Sequence, residues 1–421
     1  MHLGGLAAGV AGGVLAEGAR RLIRGEIPDL RSLVLTPENA GRLADKLSKM
    51  RGAAMKVGQL LSMEAGDVLP PDFVAVLAKL REDAHFMPIG QLADLLEREW
   101  GSGWESRFSR FSFTPLAAAS IGQVHEAVLR DDRRLAIKIQ YPGVRKSIDS
   151  DVDNVAGLLR LLRIFPEETQ VQALLAEAKR QLHEEADYRR EAAHIDQFRA
   201  LLADSPVFFL PEVVVELTTA DVLAMSFIPG VPVESLAEAE PDLRDRVASA
   251  IIKLLFREFF EFGVVQTDPN FANYRYDADT GRIGLLDFGA SRAYPPERME
   301  GLRRLMAAAW RDEIDAVETE ALALGYLVEG DSPVRRQAVA DLFRVVCEPA
   351  RVDGPYDFGA SDLVPRLRES TYAMGFEQGY WRAPPADLVF LHRKLAGLFL
   401  LCARLGARVD AGALLRPYLT R

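Results

Sequence analysis

From about Thr36 to Arg98, apolar residues recur at three- and four-residue spacing through LADKLSKMRGAAMKVGQLLSM and FVAVLAKL, the period of helices with one buried face. Thr36-Pro37-Glu38 opens this region with a hydroxyl cap, a proline at the first helical position and an acid in the first turn. Pro70-Pro71 and Pro88 punctuate it. After Trp100-Gly-Ser-Gly the period shortens, and FSFTPLAAASIGQVHEAVLRDDRRLAIKIQ reads as three strands and two connections, with Asp131-Asp132 at one turn. Pro142-Gly143 ends that block, and two helices are expected, about 147–164 and 168–202, the second charged on one face.

VVVEL and VLAMSFI then read as two strands, and Pro229-Gly230-Val231-Pro232 as a hinge-like break. Beyond it, Arg244 to Phe262 forms a long apolar helix that leads into QTDPNFANYRYDADTGRIGLLDFG, residues 266–289, and from Pro295 the pattern is helical to the end. The order is helical extension, β-rich lobe with one long helix, proline-bearing hinge and helical lobe. That is the layout of a bilobal kinase with a nucleotide between its lobes. The expected divisions are 1–35, 36–105, 106–228 and 229–421.

The chemistry concentrates in 266–289. In kinase-type phosphoryl transfer a catalytic-loop Asp orients the nucleophile, an Asn five residues on holds one metal, and the DFG Asp holds the metal that bridges the phosphates. Those roles fall here to Asp268, Asn273 and Asp287. Lys138, in LAIKIQYPG, has apolar neighbours on both sides, where an ammonium needs an anionic partner. Glu184, Glu185 and Asp187 in HEEADYRREA, with Glu177 two turns earlier, are the candidates, and Glu185 and Asp187 are favoured. PLAAASIGQVHEA lies where a glycine-rich phosphate cover would lie but carries alanines, so it should approach phosphates differently. Gly58, inside the strong helix around Lys56-Val57-Gly58-Gln59, costs about 1 kcal/mol relative to Ala and points to close packing; by pattern alone Lys56 is a helix-surface lysine.

Composition narrows the partners. With 421 residues, 49% of them apolar, the chain can bury a large core, and a net charge of −10 offers no general attraction to nucleic acid. The two cysteines, Cys347 and Cys402, have no zinc spacing and read as buried thiols of a reducing, cytoplasmic compartment. No run of about 18 apolar residues predicts a spanning helix. The Gly/Ala-rich start carries Gly5, Gly9 and Gly13 at four-residue spacing ahead of Arg20, Arg21 and Arg24, which suits a membrane or homodimer contact as well as a loosely ordered end.

GGLAAG, KVGQLLS, PLAAASIGQVHEA, AIKIQYPGV, EEADYRREA, QTDPNFAN, LLDFGAS, YDFG and LHRKLAGLFLLCARL together resemble the UbiB family of atypical kinase-like proteins, in its coenzyme Q branch, over nearly the whole chain. The resemblance implies an α+β protein-kinase-like fold, with a small β-rich N-lobe, a helical C-lobe and an N-terminal helical extension whose KxGQ element packs over the active site. It implies that Lys56 and Gln59 meet the acids of Glu185-Ala186-Asp187 and obstruct peptide substrates, replacing the surface reading of Lys56.

It implies ATP or ADP with Mg²⁺ as cofactors, metal on Asn273 and Asp287, and Asp268 and Lys138 in catalysis. It also implies nucleotide contacts from Ala117, Ala118, Ala119, Ser120, Ile121, Gly122, Gln123, Val124, Lys138, Met225 and Phe227. The partners it implies are quinone-precursor lipids, anionic membrane on a peripheral inner face, and quinone-biosynthesis proteins. ATP hydrolysis is favoured over protein phosphorylation, while a true protein kinase, a small-molecule kinase and a non-catalytic nucleotide-dependent scaffold stay open. Gln266-Thr267-Asp268 stands where many members carry a histidine-containing loop, and the second triplet, Asp357-Phe358-Gly359, is expected to be structural, in helical surroundings.

Overall fold

The computed structural model describes residues 86–119, 121–161, 168–372, 385 and 387–420. Gly5, Gly9, Gly13, Lys56, Gln59 and Ser120 lie outside the described residues. Contacts divide the chain into two units, the first running through Ala186 and taking in Thr219–Val222, the second comprising Asp187–Thr218 and everything from Leu223 onward.

In the first unit, helix α1 (Ile89–Trp100) turns Leu92, Leu95 and Leu96 inward at i, i+3 and i+4. Strands β1 (Phe108–Ala118), β2 (Gly122–Leu129) and β3 (Arg134–Gln140) form an antiparallel meander. The expected Asp131-Asp132 turn joins the last two, with Asp132 at φ +66°, a left-handed position that Asp tolerates. Trp100, Trp104, Phe108 and Phe111 pack tilted and edge-to-face, with centroids 5.1–6.0 Å apart. Helices α2 (Val144–Leu161) and α3 (Glu168–Glu185) follow.

One expected helix is two. The chain breaks after α3, and α4 (Tyr188–Leu201) restarts with the Asp187 side chain accepting from Arg189 N at 3.1 Å as its cap. The Ala186 carbonyl in the break accepts instead from Gln140 Nε2 (3.0 Å) and Arg145. VVVEL is likewise not a strand: Val215–Leu217 is a 3-10 turn, Val215 is 73% exposed, and the Thr218 hydroxyl bonds back to the Val214 carbonyl at 2.9 Å. VLAMSFI does contain a strand, β5 (Val222–Ser226).

The second unit begins with α4 and β4 (Phe208–Phe209), and β6 (Val231–Pro232) follows the Pro229-Gly230 break. Helix α5 (Pro241–Arg257) runs on through one π-helical turn, Glu258–Phe262, into β7 (Val264–Gln266). Next come β8 (Tyr274–Asp277), β9 (Arg282–Leu285) and β10 (Ser291–Ala293). One sheet has the order β4-β9-β8-β6, with β4 parallel to β9 and the rest antiparallel; β7 and β10 form a separate antiparallel pair.

Helices α6 (Pro296–Arg311), α7 (Ile314–Leu324), α8 (Pro333–Val346), α9 (Glu348–Arg351), α10 (Leu363–Tyr372), α11 (Val389–Leu405) and α12 (Ala411–Leu419) build the remainder. Among the described residues they leave room for one short ladder, β11 (Tyr356–Asp357) on β12 (Arg408–Val409). The second DFG triplet therefore sits at a strand end rather than among helices: Phe358 is 2% exposed and Asp357 accepts from Ala360 N at 3.0 Å. Cys347 and Cys402 are buried free thiols, each pushed up to about 12 by that burial. Among the described residues no helix is long and apolar enough to cross a membrane.

Candidate active site

Residues 266–273 and 286–290 are separated in sequence by a hairpin and clamped together at both ends. On one side β7 pairs with β10, Gln266 opposite Ser291. On the other side β8 pairs with β9, Tyr274 opposite Leu285. Rungs between the ladders finish the frame: Leu286 N donates to Asn273 O at 3.0 Å, and Thr267 donates to Ala290 O through its backbone (3.2 Å) and its hydroxyl (2.6 Å). Gln266 Nε2 donates to the Asp287 carbonyl at 3.1 Å, so a glutamine ties the loop to the DFG turn. The two stretches that the spacing singled out are thus held side by side by main-chain hydrogen bonds.

Within this frame Asn273 Nδ2 donates to Asp268 Oδ2 at 3.1 Å, leaving the Asn273 amide oxygen for a cation. Asp287 Oδ1 accepts from Gly289 N at 2.9 Å, which points its carboxylate into the DFG turn. The Asp287 carboxylate and the Asn273 amide oxygen are hard oxygen donors of the kind that suits Mg²⁺, which takes few protein ligands and keeps oxygens from water and phosphate. Among the described residues no cluster of three His, Cys, Asp or Glu side chains could hold a metal unaided.

Helix α4 supplies a residue that the sequence reading passed over. Glu191 is 2% exposed, and a Cβ placed on Gly289 would lie 3.4 Å from its Oε2 and 3.3 Å from Asp287 Oδ1. From the same helix His194 Nδ1 donates to the Phe288 carbonyl (3.2 Å), and Phe198 packs on the Phe288 ring at 4.8 Å. Of the favoured acids, Asp187 is committed as the α4 cap, and Glu185 ends α3, 8% exposed, accepting from Gln181 Nε2 at 2.9 Å. Glu184 pairs with Arg180 at 2.7 Å on the surface, as does Glu177.

In the first unit Lys138 lies in β3 opposite Val124, 8% exposed, and every residue of the strand after the exposed Arg134 is buried. The alanine-rich segment is a tight hairpin: Ala117 pairs with Val124, Ala118 with Gln123, and Ala119 N closes the turn on Gly122 O at 2.8 Å, with Ile121 buried beneath. The Gln123 side chain faces inward. It accepts from Met87 N at 2.8 Å and donates to His125 Nε2 at 2.8 Å, while His125 Nδ1 donates to the Ser112 carbonyl. Burial holds His125 below its ordinary value, consistent with that neutral tautomer. Gln123 therefore leaves only its main chain for a ligand. In the second unit Met225 is 6% exposed and Phe227 is part-buried.

Behind the catalytic loop lies a buried charge pair, Glu258 and Lys394, both 1% exposed. Burial pushes Glu258 up to about 7, against the pull of Lys394. Burial also opposes the Lys394 charge, but Glu258 and Tyr274 outweigh it and hold the ammonium above its usual value.

A profile for the ABC1 atypical kinase-like domain matches residues 79–320, more than half the chain. The chain belongs to the ABC1, or UbiB, family of atypical kinase-like proteins. Among its relatives, the mitochondrial atypical kinase COQ8 of Saccharomyces cerevisiae is 38% identical over 99% of this chain and 83% of its own length. The rat mitochondrial atypical kinase COQ8B is 39% identical over 96% of this chain and 77% of its own. Among solved structures, the Rv3197–erythromycin complex from Mycobacterium tuberculosis covers 91% of this chain and 96% of that one, with a TM-score of 0.62 and 27% identity. The fold is therefore the α+β kinase-like fold of this family.

Proposed function

We propose that this protein is a Mg²⁺-dependent ATPase of kinase-like fold that supports coenzyme Q biosynthesis. The observation that carries the reading is the double clamp that brings Asp268, Asn273 and Asp287 into one frame, in a chain similar to COQ8 proteins over nearly its full length. Asn273 and Asp287 hold the metal, which supplies charge neutralisation at the phosphates when bound. Asp268 orients a water, Lys138 binds the α/β phosphates, and the backbone of 117–124 with Met225 and Phe227 lines the nucleotide. Lys56 and Gln59 restrict peptide access, acting with Glu185 and Asp187. Buried Glu191, beside the DFG turn, is added to this set as the acid that orders it. The hydrolysis acts on the handling of a quinone-precursor lipid at an anionic membrane surface, with the Gly5/Gly9/Gly13 segment as membrane or dimer contact and quinone-biosynthesis proteins as partners.

The test is ATP turnover by the purified full chain with and without anionic liposomes and a phenolic quinone-precursor mimic. Turnover that is stimulated by both and lost in Asp287→Asn is expected. Equal turnover in Asp287→Asn overturns the reading. Label transferred to the phenol or to a co-purifying protein replaces it with a small-molecule or protein kinase, and nucleotide-induced thermal stabilisation without turnover replaces it with a scaffold.

A further inference from the structure

The motif LHRKLAGLFLLCARL forms α11, and its inner face meets the catalytic loop at three points. Lys394 Nζ donates to Gln266 Oε1 at 2.9 Å, at the start of the loop, and to the Tyr274 hydroxyl at 2.7 Å, just past its end. Glu258 Oε2, from the π-helical turn ahead of β7, stands 3.7 Å from the same ammonium and neutralises it. One turn along the helix, Gly397 faces the middle of the loop. A methyl there would overlap the Pro269 ring and lie 3.4 Å from Pro269 Cα. Pro269 directly follows Asp268, and Gln266 also holds the Asp287 carbonyl, so one helix face is linked to both acids through their immediate neighbours.

We propose that α11 is the platform that sets the catalytic loop, with Lys394 and Gly397 as positioning residues for Asp268. The physical case is that a lysine on a buried helix face is a costly choice unless its donors have work to do. Filling the site with apolar side chains would serve stability as well or better, because replacing a buried ion pair by groups of similar volume is often neutral or stabilising. Here the ammonium spans the two ends of the loop with its donors, and the glycine lets the loop approach closer than any other residue would allow. Displacing Asp268 by a fraction of an ångström lowers turnover without touching the groups that bind nucleotide.

The proposal rests on the ATP-hydrolysing reading for its kinetic arm and is independent of it in its exchange arm. In the full chain, the double variant Lys394→Met/Glu258→Gln removes both charges while conserving volume, and Gly397→Ala adds one methyl to a helix that favours alanine. The double variant is expected to melt near wild type and Gly397→Ala below it, because its methyl collides with Pro269; both are expected to fold, to lose about ten- to a hundred-fold in kcat, and to keep KM for ATP within about two-fold. Amide hydrogen exchange of residues 266–274 is expected to quicken in both, with exchange elsewhere in α11 unchanged.

A folded variant with wild-type kcat, or with wild-type exchange across the loop, overturns the proposal. Should the double variant fail to fold, Gly397→Ala and Tyr274→Phe, which loses a single acceptor, decide it. A wild-type protein without ATP turnover sinks the functional reading, while the exchange result still decides the positioning role.

Discussion

Asn273 Nδ2 donates to Asp268 Oδ2 at 3.1 Å, so the residue assigned to metal and the residue assigned to the acceptor share a hydrogen bond. Asp268→Asn keeps the shape and removes the charge, and kcat is expected to fall by about a hundred-fold or more with little change in melting temperature. Asn273→Asp sets a second carboxylate against the first, and like charges at this range destabilise one another unless a cation lies between them. Its melting temperature should fall in EDTA and recover with Mg²⁺, a difference that wild type shows far less. Thermal melts with and without Mg²⁺ check it, and equal metal dependence in the two proteins counts against metal binding here.

Glu191 separates the structural reading from the sequence reading. Glu191→Gln removes a 2%-exposed charge beside Asp287 and is expected to lower kcat/KM by about ten- to a hundred-fold. Glu184→Gln weakens the surface pair with Arg180 and is expected to stay within about two-fold of wild type. Steady-state kinetics on the two variants rank them directly, and an equal effect would return Glu191 to a packing role.

Gly230 has φ +102°, and a Cβ there would overlap the Tyr276 carbonyl, which β6 must approach to pair with β8. Both strain and collision oppose any side chain, so Gly230→Ala should cost about 2–4 kcal/mol. Denaturant unfolding measures this through the midpoint, with the slope unchanged.

The Tyr326 hydroxyl lies 2.7 Å from His392 Nε2, and burial holds that imidazole well below its ordinary 6.5, at about 4. A folded-state value below the unfolded one means the unfolded chain takes up the proton first. The stabilisation is therefore intact above about pH 6.5 and lost as pH falls toward 4. The full shift corresponds to about 3 kcal/mol. His392 keeps some solvent contact, so about 2 kcal/mol is expected. His392→Gln should flatten this limb of the stability profile, and an unchanged limb would assign it to other groups.

The sequence by itself determined the chemistry that depends on short spacing and the elements that depend on period. Asp268 and Asn273 are five residues apart because one loop must present both, and the meander from β1 to β3 shows in its alternation and its Asp131-Asp132 turn. Only the tertiary structure decided which acid of HEEADYRREA faces the DFG turn. The sequence offered Glu185 and Asp187 as partners for Lys138 and said nothing of the DFG turn; the chain breaks at Ala186, whose carbonyl is drawn to Gln140 and Arg145, and the helix that restarts at Tyr188 buries Glu191 beside that turn. Gln123 turned inward because Met87 and His125 claim its amide. Lys394 was unreadable for the same reason: in sequence it is one cation on an apolar helix, and its partners Glu258, Gln266 and Tyr274 are more than a hundred residues away. A spacing rule sees neighbours along the chain, whereas burial of a charge is justified by neighbours that only folding supplies.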